Sequence, residues 1–175
     1  MSRLSAMAAA VLCTAALFLV AVAQAGREKV AFPAYQRHAL YDVQDQPDIA
    51  EIREAYINPE ALKQFRPGEP FPSGTVITLS IFKARLDEEG RLLRDPNGRL
   101  VRGTIDRIVV MEKRTGWGIE YPDDIRNGEW EYERFRPDGT RELTANITGC
   151  FQCHKPFDKI DFVFTIQEIA KFKQR

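Results

Sequence analysis

Alternation of apolar and polar residues dominates the second half of the chain. From Thr75 the apolar side chains occupy every second position, and these are Ile77, Leu79 and Ile81. A period of two predicts a strand with one buried face. Two further strands are predicted, from about Thr104 to Arg114 and from Glu129 to Phe135. The centre of the longer one is apolar at successive positions, so both of its faces should be covered.

The first half of the chain shows helix signals instead. Asp48 can cap a helix in which Ile49, Ile52 and Tyr56 share a face. Asn58-Pro59 predicts a second, short helix, because proline is favoured at the first helical position. That helix would bury Leu62 and Phe65. The structure of residues 26–48 stays open.

Turn signals separate these elements. Residues 66–74 contain three prolines and two glycines and cannot be regular. Asp95-Pro96-Asn97-Gly98 and Pro137-Asp138-Gly139-Thr140 predict tight turns. A last strand is predicted where Ile160, Phe162 and Phe164 alternate with polar residues, followed by a short helix through Ile169 and Phe172. The fold class is therefore α+β, with N-terminal helices packed on an antiparallel sheet.

The first 25 residues carry a secretory signal pattern. Arg3 precedes an almost wholly apolar run, Ala6 to Val22, and Ala23-Gln24-Ala25 is a small-residue cleavage site. The run is short for a membrane span, which needs ~20 apolar residues. We expect cleavage after Ala25, an exported (periplasmic) protein and one domain over residues 26–175. A retained membrane anchor is the alternative.

The balanced charge of the chain argues against nucleic acid and membrane surfaces as partners. The chain has 25 basic and 25 acidic residues, and removal of Arg3 with the signal leaves 24 against 25. The signs are interspersed, so no strong field attracts nucleic acid or a membrane surface.

The chemistry is concentrated in Cys150-Phe151-Gln152-Cys153-His154, which is the C-x-x-C-H signature of haem c attachment. Two thiols at this spacing can form thioethers with the two vinyl groups of one porphyrin edge. The histidine that follows is then placed to bind the iron. We therefore expect one haem c, attached through Cys150 and Cys153, with His154 as metal ligand.

Two other interpretations of the motif are weaker. A zinc site needs three or four protein ligands, and His38 is the only other histidine. A thioredoxin-like redox pair needs a βαβ context, which the pattern lacks.

The sixth iron ligand is not evident. Met111 lies in a predicted core strand, where methionine is usually packing. His38 precedes the predicted helices. An open sixth position would favour small-molecule binding or catalysis over electron transfer alone.

Several stretches together resemble the cytochrome P-460 and cytochrome c′-beta family. They are Arg53–Asn58, Phe71–Thr75, Val110–Arg114 with Trp117-Gly118, Gly128–Tyr132 with Phe135, and Cys150–His154 followed by Asp161-Phe162-Val163-Phe164-Thr165. The resemblance implies a mostly antiparallel sheet with helices, a homodimer, and a five-coordinate or water-ligated haem.

The same resemblance implies one of two activities, of which we expect the catalytic one, with gas binding as the alternative. Catalytic members oxidise hydroxylamine, pass electrons to another cytochrome and carry a lysine joined covalently to the porphyrin. Their relatives lack this link, cap the distal haem face with apolar side chains and bind nitric oxide or other gases. A simple electron carrier, with Met111 or His38 as sixth ligand, is a third hypothesis.

Lys83 is the candidate for the porphyrin link. It follows Ile77, Leu79 and Ile81 on the same strand parity, although a lysine there can also extend into solvent. Lys113 is the second choice. Glu112 is the candidate catalytic base, because it shares the parity of Ile108 and Val110; a surface glutamate is the plainer interpretation.

Overall fold

The computed structural model describes residues 29–175. The predicted signal lies outside these residues. Within them no helix is both long and apolar enough to cross a membrane.

A five-stranded antiparallel sheet forms the body of the fold. Its strands are adjacent in the order β1-β2-β3-β4-β5, so each pairs with its neighbour in sequence. This connectivity is a meander. The bounds are Ala39–Gln46 for β1, Glu51–Ile57 for β2, Val76–Ala84 for β3, Arg102–Lys113 for β4 and Trp130–Phe135 for β5. The antiparallel α+β prediction is confirmed, as are three of the four strands predicted from Thr75 onward, which are β3, β4 and β5.

Within residues 29–175 three α-helices accompany the sheet: α1 over Pro59–Gln64, α2 over Ile147–His154 and α3 over Ile166–Lys173. Short 3₁₀ helices lie at Tyr35–Arg37, Pro47–Ile49 and Lys155–Ile160. Helix α1 begins at Pro59 as predicted, and Phe65 after it is buried. Asn58 occupies the N-cap position, but its side chain makes no capping bond; its amide oxygen accepts from the Val76 N–H at 2.8 Å and its amide nitrogen donates to the Gly74 carbonyl.

The predicted helix from Asp48 is wrong. The chain makes a 3₁₀ turn over Pro47–Ile49 and continues as β2, which pairs with strands on both sides. Residues 52 and 56 are separated by four positions, a spacing that fits one face of a helix and also one face of a strand. Residues 51–57 form a strand because their backbone pairs with β1 on one side and with β3 on the other. Of the predicted N-terminal helices only α1 is present, with Ala61 and Phe65 in the core, because β1 and β2 occupy the rest of that part of the chain.

The predicted strand around residues 160–164 is also wrong. The 3₁₀ helix Lys155–Ile160 ends in two left-handed residues, Asp161 (φ 52°) and Phe162 (φ 62°). The helix predicted beyond it is confirmed as α3.

The two faces of the sheet are covered by different segments. Helices α2 and α3 and the loop between them pack on what we call the inner face, which includes Ile57, Ile77 and Met111. The chain before β1 packs on the outer face, through Val30 and Tyr35 against Ile108, Val110 and Phe135. Strand β4 is therefore covered on both sides, as its apolar centre predicted.

Candidate haem site

A cavity of about 380 Å³ lies between the inner face of the sheet and the segment that contains α2. Its sheet wall is aliphatic because alternate side chains of neighbouring strands are in register. Ile77 pairs with Met111, and Leu79 pairs with Val109. All four line the cavity, together with Ala55 and Ile81.

Arginines line one end of the same cavity. Arg53 is opposite Ile81 on β3, and Ile81 in turn is opposite Arg107 on β4. The Glu51 carboxylate binds both arginines, at 3.1 Å from Arg53 and 2.8 Å from Arg107. Arg134 also lines the cavity and is held by Glu142. Sequence reasoning missed these arginines; their shared strand parity with the aliphatic wall was the available signal.

Helix α2 forms the opposite wall with the C-x-x-C-H residues. Its first turn is capped by Asn146, whose side chain accepts from the Gly149 N–H at 3.1 Å. Positions three and four apart on a helix share a face. Cys150, Cys153 and His154 accordingly all line the cavity, and both thiols are free. Burial raises the pKa of the Cys150 thiol.

The His154 imidazole is fixed by its neighbours. Nδ1 lies 2.7 Å from the Phe162 carbonyl oxygen. A carbonyl oxygen only accepts, so Nδ1 carries the proton and Nε2 keeps its lone pair. The ring also lies against Tyr132 and Phe164, with centroid distances of 4.9 and 4.8 Å. Burial lowers the pKa of His154, which favours the neutral form that binds metals.

The Asp161 carboxylate ties the segment that follows α2 to the sheet. It accepts from the Lys113 ammonium at 2.9 and 2.8 Å and from the Phe71 N–H at 2.7 Å. The loop before β3, the end of β4 and the segment after α2 therefore meet at one carboxylate.

A second link between the walls is made by Tyr41 and Thr165. The Tyr41 hydroxyl on β1 and Thr165 Oγ1 are 2.8 Å apart, and both residues line the cavity. The sequence contained no signal for this pair.

The structure does not bring Lys83 into the cavity. Lys83 is on the inner face, but it pairs with Glu51 one row beyond Ile81. Its side chain is 69% exposed and forms an ion pair with Asp106. It extends into solvent because the strand ends there.

Glu112 lies on the other side of the sheet. Val109 and Met111 line the cavity, so Glu112, which has the opposite parity, belongs to the outer face. Its carboxylate accepts from Arg114 at 2.7 Å. Lys113 has the cavity parity but is bound to Asp161 and does not line the cavity. His38 does not line it either, whereas Met111 does.

No group of three or more His, Cys, Asp and Glu side chains gathers within residues 29–175 in a way that could hold a metal ion.

The donor set fits a haem. An aliphatic wall suits the porphyrin plane, free thiols and a neutral imidazole occupy the opposite wall, and arginines can pair with propionates. A meander sheet with this cavity defines a β-sheet haem protein.

Comparison with known families agrees with this class. The family model described as cytochrome P460 matches residues 33–165. The chain belongs to the cytochrome P460 family. A comparison with curated proteins finds no match to this chain.

Proposed function

We propose that this protein carries one haem c, joined to Cys150 and Cys153, with His154 as the iron ligand, and that its function is to bind nitric oxide or a similar small neutral molecule. One observation carries the choice of ligand: among the described residues that line the cavity, none is Lys, Asp or Glu. The arginines of the cavity are already paired with Glu51 and Glu142, so the aliphatic wall favours a neutral diatomic ligand over a charged one, because an unpaired buried charge is costly.

The haem would supply an iron that binds a small ligand. Residues of the chain would hold the iron and keep water away from it. His154 would hold the iron from the α2 side through Nε2, oriented by its Nδ1 hydrogen bond. Ile77, Leu79 and Val109 would exclude water from the opposite side.

Hydroxylamine oxidation with electron transfer to another cytochrome is the second candidate. Lys83 is its candidate for the porphyrin link, because this lysine shares the inner face with the cavity wall, but its side chain lies in solvent beside Asp106. The chemistry also needs a proton acceptor. Glu112 is the candidate acceptor, but it lies on the outer face of the sheet, away from the cavity.

Export to the periplasm and a homodimeric state belong to the same proposal. The signal pattern of residues 1–25 supports export, and haem c is assembled outside the cytoplasm. The dimer rests on the family resemblance.

The deciding experiment uses the full chain, exported by a host that assembles haem c. We expect a five-coordinate ferrous absorption spectrum, tight nitric oxide binding and no hydroxylamine-dependent reduction of an acceptor cytochrome. Lys83→Met should leave the spectrum unchanged, as should the exposed control Lys171→Met.

Two results would contradict the proposal. A red-shifted Soret band that reverts only in Lys83→Met, with hydroxylamine turnover, would establish the enzyme. A low-spin six-coordinate spectrum would indicate an electron carrier.

A further inference from the structure

We propose that Asp161 is a positioning residue for the iron ligand His154. Its ion pair with Lys113 holds the left-handed turn whose carbonyl accepts the His154 Nδ1 proton. The turn thereby sets how strongly the imidazole donates electrons to the iron. This inference rests on the proposed ligation of haem iron by His154.

The backbone of this turn needs outside support. Asp161 and Phe162 have φ angles of 52° and 62°, in the left-handed region that residues with a side chain rarely adopt. Such residues persist only where the surroundings hold them. The only local backbone bonds that tie them are Asp161 N–H to Asp158 at 3.2 Å and Phe162 N–H to Phe157 at 2.8 Å.

The Asp161 carboxylate supplies the support from two distant parts of the chain. It is bound by Lys113 at the end of β4 and by the Phe71 N–H before β3. The pair is poorly exposed, with side-chain values of 9% for Lys113 and 14% for Asp161. Water therefore competes weakly for either charge.

Packing fixes the next residue. A Cβ added to Gly128 would lie 3.2 Å from the Phe162 ring, so the ring rests directly on the Gly128 backbone. Phe162 is thus held through its ring, and its carbonyl remains directed at His154.

The group that accepts the His154 Nδ1 proton determines how strongly the imidazole donates electrons to the iron. A hydrogen bond from Nδ1 raises the basicity of Nε2, and a more basic ligand stabilises ferric iron. A carboxylate would do this more strongly than a neutral carbonyl. Lys113 binds the Asp161 carboxylate of this turn, and His154 Nδ1 has the neutral Phe162 carbonyl as its acceptor.

The test compares Asp161→Ala and Asp161→Asn with the unsubstituted haem protein. Resonance Raman spectroscopy of the ferrous form measures the Fe–His stretching frequency, and a redox titration measures the midpoint potential. In Asp161→Ala we expect a lower stretching frequency and a higher potential, with covalent haem retained. Asp161→Asn should shift both values less, because its amide oxygen can still accept from Phe71 N–H.

Asp158→Ala is the matched control, since it removes a carboxylate from the same segment, one that accepts from the neighbouring Lys159 N–H at 2.8 Å. It should shift neither value. If Asp161→Ala does not fold, the double variant Lys113→Met/Asp161→Asn replaces it, because it leaves no uncompensated buried charge. The double variant should shift both values in the same direction as Asp161→Ala.

The outcomes separate the two proposals. A lower thermal stability with unchanged frequency and potential would show that Asp161 is only structural, and would overturn the inference alone. Absence of an Fe–His band in the unsubstituted protein would overturn the His154 ligation and this inference together.

Discussion

The hydroxyl groups of Tyr41 and Thr165 lie 2.8 Å apart and join the sheet wall of the cavity to the loop that precedes α3. Tyr41 is buried. Tyr41→Phe keeps the ring and removes the hydrogen bond, so it should lower the free energy of unfolding by about 1 kcal/mol. Urea denaturation measures this loss.

A double-mutant cycle with Thr165→Val isolates the pair. If the bond acts as described, the double variant should lose about 1 kcal/mol less than the sum of the single losses. Strictly additive losses would show that Tyr41 and Thr165 contribute independently.

Glu131 should make stability depend on pH. Burial raises the pKa of Glu131 from 4.5 to about 7, although it accepts from the Tyr121 hydroxyl and lies near Lys29. Because its folded-state pKa exceeds the unfolded value, the folded protein binds this proton more tightly. The resulting stability is present below pH 4.5 and is lost as the pH rises to about 7.

Glu131→Gln should remove this component, which amounts to about 3 kcal/mol between the two ends of the range. Urea midpoints measured from pH 5 to pH 8 should therefore fall less steeply in the variant than in the unsubstituted protein. Glu88→Gln, on an exposed turn, should not alter the slope. Equal slopes for Glu131→Gln and the unsubstituted protein would show that Glu131 does not titrate in this range.

Leu79→Phe should obstruct ligand binding at the haem. Leu79 lies in the aliphatic row opposite Val109 and lines the cavity, so a larger side chain fills space that a diatomic ligand needs. We expect slower nitric oxide association by stopped-flow spectroscopy. Leu79→Ala is the matched variant and should not slow it; slowing in both would indicate a distorted sheet rather than obstruction.

Met111→Leu tests the sixth ligand. Met111 pairs with Ile77 and with Tyr132 in the cavity wall, where its thioether packs as an apolar side chain. Leucine nearly conserves its volume, so stability should change by less than about 1.5 kcal/mol. The ferrous spectrum should stay the same. Conversion from a six- to a five-coordinate spectrum would identify Met111 as a ligand.

The strand that begins near Thr75 could be predicted because its apolar residues recur with a single period. Ile77, Leu79 and Ile81 follow a period of two that no helix reproduces. Tyr56 shows the limit: its spacing of four from Ile52 fits both elements, and only pairing of β2 with two neighbouring strands distinguishes them. The alternation around Phe162 misled because the left-handed turn depends on Lys113 and Phe71, which are distant in sequence.

By itself the sequence determined the haem attachment motif and the apolar wall, since both depend on spacing within a few residues. Only the tertiary structure decided what surrounds them. It placed Glu112 on the outer face, because successive residues of a strand point to opposite faces of the sheet. It also left the Lys83 side chain in solvent, because this residue lies near the end of its strand. It also brought Asp161 to Lys113 and the Phe162 carbonyl to His154, contacts that chain folding creates and local pattern does not encode.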